Sequence, residues 1–315
     1  MKLRNVGKSG LLVSEIGLGC NNFGARIDLE MSRRVVHKAL DLGITFFDTA
    51  DVYGNHGGSE TILGEILGGR RKDVVLATKF GHSMDDSGTK HGASRRYIAS
   101  AAEASLRRLK TDWIDLYQLH GPDPLTPLEE TLRALDDLVR QGKVLYIGCS
   151  NLPAWQVVTA AWTARQSDIT PFICCQDEYS LLARDIEREL IPAIRAYGLG
   201  LLPYFPLASG ILTGKYKRGQ DPPEDSRMAA WQRLVERYAT ESGWDIIERL
   251  ESFCAARGHT LLELAFGWLL AKPEVASVIA GATRPEQVEM NVRAGSWAPT
   301  AEEMEEVGRI TRQGN

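Results

Sequence analysis

An aspartate, a tyrosine, a lysine and a histidine stand at the ends of three apolar runs, and together they could move a proton. Asp48 closes the run at 45–49, with Tyr53 just beyond it in Thr49-Ala50-Asp51-Val52-Tyr53-Gly54. Lys79 ends the run at 74–79, and His120 follows the run at 113–118. A free tyrosine ionises near pH ~10, too high for easy exchange at neutral pH. A neighbouring ammonium is expected to favour the phenolate and lower that value, with Asp48 holding Lys79 charged and in place. His120 could orient a carbonyl or relay a proton. The set suits a general acid that protonates a carbonyl oxygen as it gains negative charge. It contains no nucleophile, metal site or reductant, so a cofactor must act on the carbon. Taken singly, Asp48 and Lys79 read as a structural ion pair, His120 as a hydrogen-bonded core histidine and Tyr53 as a loop residue. A shared location is what favours function.

The alternation of elements supplies that location. After a short hairpin at 2–13, apolar runs at 14–19, 45–49, 74–79, 113–118, 144–148, 172–175, 200–204 and 276–280 predict strands. Segments of helical period lie between them at 30–42, 59–67, 94–109, 127–141, 154–163, 183–196 and 261–270. Eight near-continuous apolar strands separated by amphipathic helices predict an α/β fold, a (β/α)8 TIM barrel, over residues 1–315 as one domain. Gly17-Leu18-Gly19-Cys20-Asn21-Asn22-Phe23-Gly24 lacks the G-x-G-x-x-G spacing of a dinucleotide-binding open sheet. A further C-terminal helix is expected at 300–312. Long segments at 80–92 and from 215 to about 244 are expected as loops at the barrel mouth, where strand ends converge and substrate contacts are built.

Composition excludes several classes. The 315 residues carry a formal charge of -4, giving no reason to expect nucleic acid or an anionic membrane as partner. Arg70-Arg71-Lys72 and Arg107-Arg108 with Lys110 read as cations at helix ends. There is no run of eighteen apolar residues and no signal-peptide core at the start. Cys20, Cys149, Cys174, Cys175 and Cys254 show no metal-ligand spacing and read as small buried hydrophobes in a reducing cytoplasm.

The block Phe47-Asp48-Thr49-Ala50-Asp51-Val52-Tyr53-Gly54, with Ser59-Glu60, Leu63-Gly64, Thr78-Lys79 and Leu119-His120, resembles the aldo-keto reductases over nearly the whole chain. Pro206-Leu207-Ala208-Ser209-Gly210 and Gly281-Ala282-Thr283 are similar to the bacterial and potassium-channel β-subunit-like branches of that family. The resemblance implies a barrel that binds NADPH/NADP+ without a Rossmann motif, with Tyr53 as general acid and Asp48, Lys79 and His120 as its partners. It implies Ser150, Asn151 and Gln176 at the nicotinamide carboxamide and Tyr204 stacked on the ring. Phe205, Pro206, Leu207, Ser209, Gly210 and Lys215 would cover the pyrophosphate. Gly281, Thr283, Arg284, Gln287 and Asn291 would hold the adenosine phosphate, and Arg227 would add a clamp. Backbone amides at a helix start and the Arg284 charge suit a 2′-phosphate, favouring NADPH over NADH. Met290, Ala280 and Phe205 depart from the family's usual residues.

The expected activity is reduction of a small-molecule carbonyl compound to an alcohol. The alternatives are an NAD(P)-linked sugar dehydrogenase, a cofactor-sensing regulatory subunit with incidental turnover, and an unrelated barrel lyase or isomerase. The substrate pocket is expected from Asn22, Phe23, Tyr53, the 80–92 loop (His82, Lys90, His91), the Gly121-Pro122-Asp123 turn and the loop after Lys215. Substrate identity and oligomeric state are left open.

Overall fold

The computed structural model describes residues 1–221 and 237–312, so Arg227 lies outside the described residues. Strands β1 (Leu3–Asn5) and β2 (Leu12–Ser14) form the expected antiparallel hairpin. Eight strands then form one parallel sheet: β3 (Ile16–Gly19), β4 (Phe46–Asp48), β5 (Val75–Phe80), β6 (Ile114–Leu119), β7 (Val144–Ser150), β8 (Phe172–Glu178), β9 (Gly200–Tyr204) and β10 (Val278–Gly281). They follow chain order, and β10 returns to pair with β3. The ring closes on its other side just before β10. Leu201 N–H donates to the Glu274 carbonyl at 2.7 Å, and Ala276 N–H to the Leu201 carbonyl at 2.9 Å. The fold is the (β/α)8 barrel that the alternation predicts.

Strand alternation divides the apolar residues between two cores. Phe46, Ala77, Leu116, Cys174 and Leu202 point into the barrel and pack with Val6, Leu11 and Val13 of the hairpin segment. Phe47, Leu76, Tyr117, Ile147, Cys175 and Leu201 belong to the outer core beneath the helices. The hairpin thus stoppers the end of the barrel where the strands begin, and Lys8 N–H bonds to the Gly198 carbonyl there at 2.9 Å. Each buried Leu, Ile, Val or Phe side chain among them contributes roughly 1.5–3 kcal/mol, so both cores help hold the ring.

Several helices start where the sequence provides a cap. Asp28 accepts from Met31 N–H at the start of Leu29–Asp41, and Ser94 from Tyr97 N–H at the start of Arg95–Leu109. Others differ from expectation. The helix expected at 183–196 is shorter: a 3-10 turn at Asp185–Glu187 precedes an α-helix at Leu190–Tyr197. Pro192 lacks an N–H and crowds the carbonyl four residues back, so it is tolerated only in a first turn. The segment expected as loop up to about 244 includes the start of a further helix, Glu241–Ala255, capped by Thr240. The C-terminal helix is present at Ala301–Arg312.

Two of the basic residues do stand in the last turns of helices and, in addition, pair with buried carboxylates. Arg71 is buried and pairs with Asp115 at 2.7 Å, its guanidinium lying 4.6 Å from the Trp113 ring centroid. Arg108 pairs with buried Glu60 at 2.6 Å. All five cysteines are free and buried. Among the described residues no helix is long and apolar enough to cross a membrane, and no metal-binding cluster occurs.

Candidate active site

The C-terminal ends of β4, β5 and β6 bring the four ionisable residues together. Lys79 is fully buried, and its Nζ donates to Asp48 Oδ2 at 2.7 Å and to the Thr49 carbonyl at 2.7 Å. The ammonium lies 4.9 Å from the Tyr53 ring centroid. Asp48 Oδ1 accepts from Gln176 Nε2 at 2.8 Å and from Gln118 Nε2 at 3.4 Å. A buried ion pair tolerates desolvation only when its remaining donors and acceptors are satisfied, and the two glutamines do this for Asp48. The Gln176 amide group is therefore committed to Asp48, leaving its carbonyl oxygen to face the cavity's contents.

The electrostatics correct one expectation. Burial pushes the Tyr53 phenol above its ordinary range, and the opposing pull of Lys79 does not overcome it. Tyr53 therefore holds its proton firmly, the state a general acid needs. Burial alone would push Lys79 down, yet Asp48 and Tyr53 hold it above its ordinary value, so it stays charged. His120 is pushed down to about 2, first by burial and then by Lys79 and His82. It is a neutral imidazole at any working pH, with Nδ1 buried and without a hydrogen-bond partner. Its ring stands edge-on to Tyr53, centroids 5.7 Å apart, and packs against His82 at 4.1 Å.

A cavity of about 540 Å³ opens in front of Asp48, Tyr53 and His120. Ser150 and Asn151 after β7, Gln176 in β8 and Tyr204 ending β9 line its next section. The Tyr204 hydroxyl donates to Asn151 Oδ1 at 2.7 Å, and Asn151 Nδ2 donates to the His120 carbonyl at 3.0 Å. Phe205, Pro206, Leu207, Ser209, Gly210 and Lys215 form one wall, and Gly281, Thr283, Arg284, Gln287 and Asn291 the far end. Thus every described residue proposed for cofactor contact lines one continuous space. Lys79 lies behind Tyr53 and does not reach the surface of that space.

The lining fits an extended, phosphate-bearing group. Phe205, Ala208, Ser209 and Gly210 take left-handed backbone conformations (φ 50°, 44°, 60° and 103°), folding the wall segment into a tight curl. Ser209 Oγ is buried there without a partner. Helix Pro285–Ala294 starts at the far end with Pro in its first turn, so its free N–H groups and dipole favour an anion. Arg284 is exposed at that point and has no ion-pair partner among the described residues.

Some residues fall elsewhere. Phe23 is buried in the outer core and does not line the cavity. The 80–92 loop contributes no lining residue, and only His82 approaches, through its contact with His120. Sequence reasoning missed Arg26, Asn21, Thr213 and Leu262, which line the cavity, and Gln118, which braces Asp48 from inside the barrel. Arg26 carries the one available signal: a cation in the loop after the first barrel strand with no acidic neighbour closer than Asp28 in sequence.

Comparison with known proteins agrees with this architecture. Residues 15–312 match the Aldo/keto reductase family. The chain is 38% identical over 309 residues to a probable voltage-gated potassium channel subunit beta of Arabidopsis thaliana, covering 95% of this chain and 92% of that protein. A protein of the same description from Oryza sativa subsp. japonica is 38% identical over 304 residues, covering 93% and 91%. The uncharacterized oxidoreductase YrpG of Bacillus subtilis (strain 168) is 37% identical over 304 residues, again covering 93% and 91%. This chain belongs to the aldo/keto reductase family, and the barrel with its mouth cavity is that of an oxidoreductase.

Proposed function

We propose that residues 1–315 act as one domain that reduces an aldehyde or ketone with NADPH, Tyr53 supplying the proton. The observation that carries this reading is Tyr53 itself. Its phenol is protonated by burial, backed by the Lys79 ammonium, and faces a cavity of about 540 Å³ whose lining runs from Tyr53 to Arg284. NADPH, when bound, supplies the hydride that these side chains lack. Asn151, Ser150 and the Gln176 carbonyl would hold the carboxamide, Tyr204 would pack on the nicotinamide, and Ser209 Oγ and Lys215 would meet the pyrophosphate. Arg284 would receive the 2′-phosphate.

The substrate oxygen sits between Tyr53 and His120. Neutral His120 orients that oxygen without competing for the proton. As negative charge develops, Tyr53 donates, and the phenolate left behind is stabilised by Lys79, itself held by Asp48. Running backwards, the phenolate accepts the proton of an alcohol, so the same residues serve NADP+-linked oxidation, including that of a sugar. The buried, unpaired thiols and the absence of any long apolar helix among the described residues support a cytoplasmic enzyme.

Titration with NADPH and NADH, followed by tryptophan fluorescence, tests the reading. Quenching at lower NADPH than NADH concentration is expected, with NADPH consumed on adding an aromatic aldehyde. No quenching by either nucleotide refutes it. The descriptions of the two plant relatives favour a second reading, a cofactor-sensing regulatory subunit. That reading requires a stable hetero-complex and negligible turnover with aldehydes, sugar aldehydes and quinones alike.

A further inference from the structure

Behind the Tyr53–Lys79 pair lies a second group of ionisable side chains that the proposed reaction does not use. Asp51 sits in the turn that delivers Tyr53: its N–H donates to the Lys79 carbonyl at 3.1 Å, and Tyr53 N–H donates to the Ala50 carbonyl at 3.1 Å. The Asp51 side chain turns away from the cavity into the outer core. It is 1% exposed, and neither carboxyl oxygen has a partner within strict hydrogen-bond geometry; the neutral Tyr97 hydroxyl approaches as its side-chain hydrogen-bonding neighbour, and no cation is paired with it.

The charged and titratable groups facing Asp51 come from every element packed on it: Glu60 from helix Tyr53–Leu67, Tyr97 and Arg108 from helix Arg95–Leu109, Tyr117 from β6 and Lys79 from β5. Glu60 is fully buried and both its oxygens are engaged, one by Thr78 Oγ1 at 2.5 Å and one by Arg108 Nε at 2.6 Å. Lys79 is likewise committed to Asp48. Two buried carboxyls therefore share one guanidinium, and Glu60 has taken it. An isolated buried carboxylate is far costlier than a neutral acid, so the unpaired partner is the one that keeps its proton.

We infer that Asp51 is a positioning residue for Tyr53 that works in its protonated form, its ionisation placing a second negative charge behind the Tyr53–Lys79 pair and weakening Tyr53 as an acid. The inference rests on reading Tyr53 as the proton donor. Burial, with Glu60 adding to it, pushes Asp51 up to about 7. The switch then falls within the working range. Reduction is favoured while Asp51 is neutral and declines as it ionises. Oxidation, which starts from the phenolate, does not benefit from the added charge.

The first test reads Tyr53 directly in the whole protein, without cofactor. Tyrosinate absorbance is followed on alkaline titration, the Tyr53→Phe spectrum is subtracted, and the measurement is repeated in Asp51→Asn with Asp51→Asn/Tyr53→Phe as its blank. Removing the charge is expected to lower the Tyr53 ionisation by about half a pH unit or more; an unchanged value overturns the inference. The second test is the pH profile of kcat/KM for NADPH-linked reduction of an aromatic aldehyde. The wild-type limb near neutrality is expected to vanish in Asp51→Asn, giving about threefold or more excess over wild type at alkaline pH and parity at acid pH. An equal ratio at every pH overturns the inference. Should Asp51→Asn not fold, Glu60→Gln serves: it frees Arg108 to pair with Asp51, so the limb must move to lower pH, and an unmoved limb is fatal. Wild-type inactivity with NADPH would instead defeat the reductase reading, while the tyrosinate titration would still decide whether Asp51 acts on Tyr53.

Discussion

Asp177 offers the most direct test of the electrostatics of this barrel mouth. It is 7% exposed at the end of β8, and its Oδ2 has no hydrogen-bond partner. Burial pushes its carboxyl up to about 8, against the smaller opposing effect of the Asn151 N–H. In the unfolded chain the same group ionises near ~3.9. The folded protein thus binds this proton more tightly than the unfolded chain does, and stability contributed by the group falls as pH rises from about 4 to about 8. Above that both states are ionised and the loss levels off. At about 1.36 kcal/mol per pH unit, the loss is about 1.5 kcal/mol at pH 5 and about 4 kcal/mol at pH 7. Asp177→Asn keeps the shape and removes the titration. Urea unfolding of both proteins across this range should show the variant gaining on the wild type by about 2.7 kcal/mol between about pH 5 and pH 7. A stability difference constant to within about 0.5 kcal/mol over that interval would mean that Asp177 is ionised in the folded protein, and the burial argument would fail.

Other perturbations separate the roles assigned above. Tyr53→Phe should lower kcat/KM for reduction by about 10²–10⁴-fold while the NADPH dissociation constant, read by fluorescence, stays within about twofold. Arg284→Ala should weaken NADPH about tenfold and leave NADH unchanged, as expected for a lost guanidinium–phosphate contact. Because His120 is already neutral, it should contribute no limb to the rate profile between about pH 5 and pH 8, and a neutral-pH limb that shifts in His120→Gln would refute this. Gly64 lies where helix Tyr53–Leu67 meets helix Arg95–Leu109, and an added Cβ would stand 2.3 Å from the Arg108 carbonyl. Gly64→Ala should therefore cost about 1–3 kcal/mol, visible as a lower melting temperature.

Legibility in the sequence followed the length scale of the physics. Strands β4, β5 and β6 were readable because a closed parallel barrel buries both faces of each strand, leaving uninterrupted apolar runs that end on Asp48, Lys79 and just before His120. Parallel alignment then forces those ends to one mouth, so the cluster required no contact information. What depends on three-dimensional closure was hidden. Gln118 looks like one more strand residue until β8 arrives with Gln176 to complete the bracing of Asp48. Arg71 and Arg108 are readable as helix-end cations, but their carboxylate partners, far along the chain, are not. The sign of the Tyr53 shift was misjudged because pairing with Lys79 is visible in sequence and burial is not. Pro192 was a readable signal for the late start of helix Leu190–Tyr197, whereas the period of Glu241–Ala255 was masked by its position after a long polar segment.

The closure of the ring has a mechanical consequence. Elsewhere each neighbouring strand pair is joined by two or more paired residues, β7 and β8 with a register shift between Ile147 and Cys149, whereas β9 meets the segment before β10 through the single bridge Leu201–Val275. The strands bordering that joint also carry Tyr204 and Gly281, two walls of the cavity. A molecule spanning the cavity from one to the other would fasten the least-stitched line of the barrel, like a clasp across a cuff. Occupancy of the mouth and integrity of the cylinder would thereby be tied together for any molecule that reaches both walls.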